Sequence, residues 1–430
     1  MAGEWKETSL AAVMDVKHGF AFPGENIRDE PPGDILLTPG NFAIGGGFKG
    51  DKFKYFDGEV PEDFVLKEGE LVLTMTDLSK QADTLGYPAI IPNPRSQRFL
   101  HNQRLGKVLI KRGAELDRGF LFYLLRTAEY RNEVLASATG TTVKHTSPGR
   151  ILAHKANLPP LAEQKAIAAV LGALDDKIEL NRRMNATLEA LARALFQSWF
   201  VDFDPVRAKL DGRKPIGLDE TTAALFPAHF DHKSEGVVPT GWLATTLGEV
   251  IEISDSKRIP LSGREREARQ GKFPYHGAAS VMDYVDDFLF DGIYALMGED
   301  GSVINEDGTP VLQYVWGKFW VNNHAHVLRG KKGISTEHLL LHLKGSNIAP
   351  FVNGAVQPKL NQGNMNRIPF MLPPPEIGQA FAKTIEPFFA QIRATTEESR
   401  TLATLRDTLL PKLLSGELSA TANLLASTKS

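Results

Sequence analysis

The 430-residue sequence predicts an α+β protein built twice. Two globules of short strands and helices are expected, separated by two long antiparallel helices that form a coiled coil, with a pseudo-two-fold internal repeat. Three observations predict this. The phrase "LPPLAEQKAIAAVL" at 158–171 returns as "LPPPEIGQAFAKTI" at 372–385. The residues after each phrase keep an unbroken heptad spacing. Those before it break into short apolar runs punctuated by Gly, Asn, Asp and Pro, the pattern of strands and turns.

The repeat sets the domain order. At a constant offset of 214, Leu158, Pro159 and Pro160 fall on Leu372, Pro373 and Pro374, and the match runs gap-free through Ile178 on Ile392 and Leu195 on Leu409. An offset of 237 aligns Trp5 with Trp242, Thr8 with Thr245, Leu10 with Leu247 and Val13 with Val250, so the second copy is 23 residues shorter ahead of its prolines. The expected division is a first globule at 1–158, a helix at 159–203 and a linker at 204–240. A second globule at 241–372, a helix at 373–414 and a tail at 415–430 follow.

Within the globules, "GDILLTPGNF", "GELVLTM", "DGIYALMGEDG" and "FWVNNHAHVL" read as strands, while "RGFLFYLLRTAEY" and "STEHLLLHLK" read as short helices. The prolines suit the start of a helix, and Glu163 and Glu376 suit its positive end. The first seam is Ile167, Leu171, Leu174, Ile178, Asn181, Asn185, Leu188, Ala192 and Leu195. The second is Phe381, Ile385, Phe388, Ile392, Thr395, Ser399, Leu402, Arg406 and Leu409. Both are apolar at the ends and polar in the middle. Antiparallel pairing sets Asn181 and Asn185 against Thr395 and Ser399, a polar layer that fixes register. The alternative is two amphipathic helices, each packed on its own globule. Roughly 39 residues rising about 1.5 Å each make a rod of about 58 Å. One DNA turn is about 34–36 Å, so globules at either end would touch a duplex between one and two turns apart.

Composition narrows the class. Apolar residues at 42% and charged residues at 23% are those of a folded, soluble chain. There is no cysteine, which excludes disulfides and thiolate metal sites and fits a cytoplasmic location. No apolar run is long enough for a membrane span, and "MAGEWKETSL" lacks the apolar stretch of a signal peptide. A net charge of −3 still permits a local basic surface.

Catalytic motifs are missing. There is no GxxxxGK[ST] and no Asn/Asp-Pro-Pro-aromatic loop, and "GNFAIGGGFKG" at 40–50 lacks both GxGxxG spacing and a following helix. His324 with His326, and His338 with His342, have pair spacing but no third ligand, so no metal site is expected. What remains is binding chemistry. The first globule offers Lys49, Lys52, Lys54, Arg95, Arg98 and Arg104, and the second Lys257, Arg258, Arg264, Arg266, Arg269 and Lys272. Such side chains neutralise phosphates and read base edges. The loops ahead of the prolines, "TGTTVKHTSPGRI" and "NGAVQPKLNQGNMNRI", echo one another with Gly140 on Gly354 and contribute Lys144 and Lys359. A loop common to both copies is expected to do a shared job, not to discriminate sequences. Trp199, Phe200 and Phe203 beside Asp202 and Asp204 read as a docking patch for a partner, the alternative being a hydrophobic plug against the neighbouring globule.

The run "NLPPLAEQKAIAAVLGALDDKIELNRRMNATLEALARALFQSWFVDFDPV" closely resembles the central conserved region of type I restriction–modification specificity (S) subunits, and the repeated architecture resembles that family along essentially the whole chain. The resemblance implies a non-catalytic subunit with two target-recognition domains, each reading half of a bipartite double-stranded DNA site. It implies conserved helices that act as a ruler and dock two modification (methyltransferase) subunits, with Trp199, Phe200, Asp202, Phe203 and Asp204 at that interface. Translocating restriction subunits would join them. S-adenosylmethionine, ATP and Mg would then belong to the partners, with no cofactor on this chain. Because the globules differ in length and in their contact loops, the site is expected to be asymmetric. Two departures stand out: "PPPEIGQ" replaces "PPLAEQ", and Arg406 occupies the seam where Ala192 stood. A rival reading is an assembly adaptor that joins proteins without reading DNA.

Overall fold

Each unit opens and closes on the same two-stranded ladder, and the two repeat offsets meet in it. The computed structural model describes residues 5–421 apart from 80, 94–96, 234–235 and 355. Strand Lys6–Ser9 pairs antiparallel with Lys155–Leu158, Lys6 opposite Leu158. Strand Leu243–Thr246 pairs antiparallel with Pro369–Leu372, Leu243 opposite Leu372. The register is the same in both copies, one strand shifted by 237 and the other by 214. Further matches extend it: Leu10 N donates to His154 O at 2.9 Å, and Leu247 N to Ile368 O at 2.7 Å.

The chain divides into two compact units, residues 1–179 with 399–430, and residues 180–398. This differs from the expected division, in which each long helix stood as a separate segment. The physical reason is burial. Ile167, Leu171 and Leu413 join the first core with Leu10, Phe120 and Leu121, while Ala192, Phe381 and Ile385 join the second with Trp242 and Leu339.

In the first unit a four-stranded antiparallel sheet runs in the order Met14–His18, Leu105–Ile110, Leu71–Thr74, Pro88–Ile90. A five-stranded sheet beside it is mixed, with Phe99–Leu100 parallel to Asp34–Leu36. Helix Arg118–Leu124 starts where the Asp117 carboxylate accepts from Phe120 N, satisfying an otherwise orphan donor. The second unit repeats the plan with different lengths. One four-stranded sheet runs Ile251–Ile253, Ala325–Gly330, Tyr294–Gly298, Leu312–Val315, and another runs Val281–Val285, Gln270–His276, Lys318–Val321, Phe290–Asp291. Helix Thr336–Lys344 starts on Ser335, whose hydroxyl accepts from His338 N.

The long helices are α1, Leu161–Phe196, and α2, Pro375–Leu414. They run antiparallel within each unit. In the first, Glu163 accepts from Ala420 N at 2.6 Å, and Arg406 Nη1 lies 2.6 Å from Asp175. In the second, Asn181 Nδ2 donates to Glu398 at 2.8 Å and Asn185 Nδ2 to Thr396 at 3.2 Å. Partner numbers fall as α1 numbers rise. Thr395 meets both asparagines as expected, and Thr396 and Glu398 join them from outside the seam. Leu174, Ile178, Leu188, Leu195, Phe388, Ser399, Leu402 and Leu409 are half-buried, Ile392 and Thr395 are buried, and the off-seam Leu180, Leu191 and Leu405 face solvent. Among the described residues, no helix is long and apolar enough to cross a membrane.

Candidate DNA interface

A buried polar anchor presents the first cation-bearing loop. In the first unit the side-chain amide of Asn41, 1% exposed, donates to Lys49 O at 3.3 Å and Lys52 O at 2.8 Å, fixing a loop that holds Lys49 and Lys52 outward. Lys52 has no carboxylate partner among the described residues, Lys49 lies 3.5 Å from Asp51, and Lys54 pairs with Asp29. Arg98 is forked between Asp34, at 3.1 Å from Nε, and Glu62, at 2.9 Å, so its charge is neutralised within the unit. Arg95 lies outside the described residues. Arg104 is exposed, and its carbonyl accepts from Met75 N at 2.8 Å. Lys144 pairs in a short ladder with Asp77, two residues from Met75. Arg104 and Lys144 therefore flank one stretch of backbone.

In the second unit three of the six expected cations serve the fold. Arg258 sits 2.5 Å from Glu299 and 3.5 Å from Asp255 in a nearly dry site. Arg266 pairs with Asp283 at 3.1 Å and lies over the Tyr275 ring, and Arg269 pairs with Asp286 at 2.9 Å and lies over Trp320. Each of the three charges is neutralised within the unit, Arg258 because burying a guanidinium demands an acceptor, and the half-buried Arg266 and Arg269 by an ion pair beside a ring. Lys257, Arg264 and Lys272 remain exposed, without ion-pair partners among the described residues. Helix Gly263–Ala268, which carries Arg264, is closed by a reciprocal capping box between Ser262 and Glu265. Against it lies the edge strand Val281–Val285, where Met282 is 54% and Tyr284 51% exposed. Sequence reasoning missed these two; the signal was there in "VMDYV", whose alternation leaves two large side chains on the open face.

Asp255, Glu299 and His326 lie within 4.8 Å of one another, a donor set that could suit a cation. Arg258 stands among them instead. His326 is fully buried, with Nδ1 2.6 Å from Asp255 and Nε2 2.7 Å from Leu360 O. Both ring nitrogens face acceptors, an arrangement that favours the doubly protonated ring. Burial pushes the imidazole pKa down, but the Asp255 hydrogen bond and charge outweigh it and the pKa is raised. Burial likewise pushes the Asp255 carboxyl up, yet His326 and Val327 N hold it below the usual range. His338 and His342 are lowered by burial, to about 3 and about 4.

The hairpins ahead of the prolines are equivalent in detail. Thr139 bridges His145, and Asn353 bridges Lys359. Gly140 and Gly354 both take positive φ, 96° and 85°, and a first side-chain carbon there would stand 1.9 Å from Val143 O or 2.3 Å from Gln357 O. Only glycine fits. Lys359 is held 3.3 Å from Asp300, which also accepts from Gln357 at 2.8 Å.

The expected docking patch is corrected by burial. Trp199 and Phe200 are 2% and 6% exposed. Trp199 packs edge-on against Phe226, and Phe200 against Phe381 and Trp242. They are the plug of the second unit, and Phe203, in the left-handed region at φ 56°, packs on Trp242. Asp202 and Asp204 alone of the five are exposed.

A family model for the type I restriction modification DNA specificity domain matches residues 2–190 and again 239–403. The chain belongs to the type I restriction–modification DNA specificity family. The specificity subunit of the type I restriction enzyme MjaIX of Methanocaldococcus jannaschii is 26% identical over 96% of each chain. That of the HindI enzyme of Haemophilus influenzae is 28% identical over 70% of this chain and 77% of its own length. The crystal structure of the type I restriction–modification S subunit from M. genitalium shares the fold, with a TM-score of 0.57 at 17% identity, covering 95% of this chain and 96% of that one. Within this specificity family, the duplicated match coincides with the two ladders described above.

Proposed function

We propose that this chain is the non-catalytic DNA-reading subunit of a type I restriction–modification complex. Its two units read the unlike halves of a bipartite, asymmetric site and set two adenine methyltransferase subunits on it, with translocating restriction subunits joining the assembly. Base flipping and methyl transfer, with S-adenosylmethionine, ATP and magnesium, belong to those partners. The observation that carries the reading is duplication with divergence. The ladders repeat in the same register, whereas the loops bearing Lys52 and Arg104 in one unit and Lys257, Arg264 and Lys272 in the other share no pattern. The common parts would hold geometry and the unlike parts discriminate sequence. Arg264, Lys272, Met282 and Tyr284 offer a guanidinium, an ammonium and two flat or flexible apolar groups for a groove edge.

The test is selection from random duplex pools by the purified chain with its modification subunits, at stepped salt. The expected outcome is two unrelated half-sites at one fixed gap. Lys257→Gln and Arg264→Gln should each lower the salt slope of log K by about 1, as one phosphate contact is lost. Retention of pool DNA with no enriched sequence would sink the reading and favour an adaptor.

A further inference from the structure

We propose that the first unit carries a docking groove for an extended segment of a partner protein, whose central residue is an aromatic ring bearing a hydrogen-bond donor. This goes beyond DNA reading and stands independently of it. An open cavity of about 480 Å³ lies between the end of helix Arg118–Leu124, strand Lys155–Leu158 and the last turns of α2, lined by Leu124, Lys155, Ala156, Leu410, Pro411 and Leu414. Its strand wall is an open edge. Leu10 N donates to His154 O, which makes Ser9 and Lys155 a non-hydrogen-bonded pair and turns the Lys155 N–H and C=O away from the two-stranded ladder. Among the described residues neither group has a hydrogen-bond partner.

The second unit shows what completes such a groove. Counting from the helix caps Asp117 and Ser335, Leu124 corresponds to His342. At the offset of 214, Ala156 corresponds to Phe370, Leu410 to Phe196 and Leu414 to Phe200. There the space is filled: His342 lies 4.5 Å from the Phe370 ring and 6.3 Å from Phe196, and Phe196 lies 5.4 Å from Phe200. The His342 Nε2–H donates at 3.1 Å to Pro369 O, the counterpart of Lys155 O. Pro369 has no N–H, so that edge is closed on both counts. In the first unit three aliphatic side chains and an alanine stand where those rings stood, and no donor takes their place. An incoming segment must therefore supply a ring and a donor, and the Lys155 N–H can pair with its backbone carbonyl, as in strand addition. Tryptophan and tyrosine meet both demands.

The experiment titrates the full-length chain with the probe N-acetyl-Thr-Trp-Thr-amide, followed by calorimetry and amide NMR shifts. Saturable binding is expected, with shifts at Lys155 and Leu410. The Phe analogue should bind about fivefold more weakly, the worth of one hydrogen bond. Ala156→Phe, which plants the ring of Phe370 in the groove, should abolish binding while leaving thermal unfolding cooperative. Leu410→Phe serves the same purpose if the first variant does not fold. The proposal is overturned by no saturable binding, by equal affinity for the two peptides, or by unchanged binding in the filled variants. It is also overturned if duplex DNA displaces the probe, or if the chain self-associates through this face and Ala156→Phe makes it monomeric.

Discussion

Where Asp175 meets Arg406 in the first unit, the equivalent positions of the second hold Phe389 and Ala192, both buried in its core. The polar version is elaborate. One carboxylate takes Arg406 at 2.6 Å, Tyr123 Oη at 2.8 Å and Arg126 at 2.9 Å. Burial pushes its pKa up, but Arg406 and Arg126 hold it below the usual range. The apolar version sets Phe389 5.3 Å from Tyr314. A second pair of equivalents behaves alike. Gln164 Nε2 donates to Glu115 O and Pro159 O, and its Oε1 accepts from Asp117 N at 2.8 Å. At Gly378 a side-chain carbon would stand 2.6 Å from Gly333 O, so the loop rests directly on the helix. The lesson is that backbone register belongs to the ladder and the heptad, while each layer can be polar or apolar provided both partners change together. Arg406, an oddity as a lone seam residue, is ordinary as half of a pair.

The largest expected effect tests that pairing. Asp175→Leu removes one acceptor from Arg406, Arg126 and the Tyr123 phenol in a half-dry site, while Arg406 keeps Asp407 and Arg126 keeps Gly45 O, and should cost the first unit about 2–3 kcal/mol. Amide hydrogen exchange in urea, read separately for each unit, measures it. The double variant Asp175→Phe with Arg406→Ala copies the helix pair of the second unit, leaves Tyr123 and Arg126 in place, and should recover at least half the loss. No recovery would mean that the two layers are not interchangeable.

A smaller effect separates the units by pH. His326 has a raised folded pKa, so its contribution is whole below the ordinary histidine value near 6.5 and is lost as pH rises through the folded value. His338 and His342, at about 3 and about 4, act oppositely: below 6.5 the unfolded chain takes up protons that the fold refuses. The second unit should therefore be most stable in between, and His326→Gln should remove only the alkaline slope. In the first unit the shifted histidine, His101, is lowered by burial to about 4, so stability there should fall on the acid side. Urea midpoints between pH 5 and 9 check both slopes, and an unchanged alkaline limb in His326→Gln would assign that slope to another group.

The sequence was most legible where the signal is local or repeated. The proline phrases, the heptad seam and the offsets of 214 and 237 led to both long helices and, through them, to the antiparallel pairing. Charge was less legible, because pairing is long-range. Nothing near Arg258 in the chain announces Glu299, 41 positions on, and nothing near Arg266 announces Asp283. Trp199 and Phe200 looked like a surface because their partners, Trp242 and Phe381, come from the other side of a linker and a globule. The hydrophobic effect counts area removed from water, and composition cannot say which neighbour removes it.

The smallest stability effect is expected at the polar layer of the second unit, and there function should move more than stability. Asn181 is fully buried and donates to Glu398 at 2.8 Å, and Asn185 accepts from Thr395 Oγ1 at 2.5 Å. Unlike Asp175, neither asparagine carries charge. In Asn181→Leu with Asn185→Leu the Thr395 hydroxyl can rest on Gln391 O, 2.7 Å away, and Glu398 can turn to water. The unfolding free energy should change by no more than about 1 kcal/mol, since the hydroxyl and carboxylate left behind keep another acceptor or water. Register is another matter. With leucines at both positions a helix displaced by one heptad buries its seam nearly as well, so the polar layer no longer singles out one alignment. Selected DNA pools should then show half-sites at more than one gap. A double variant that keeps a single gap would take the ruler away from this layer and leave it to the Asp175–Arg406 pair, whose loss should then broaden the gap as well as weaken the fold.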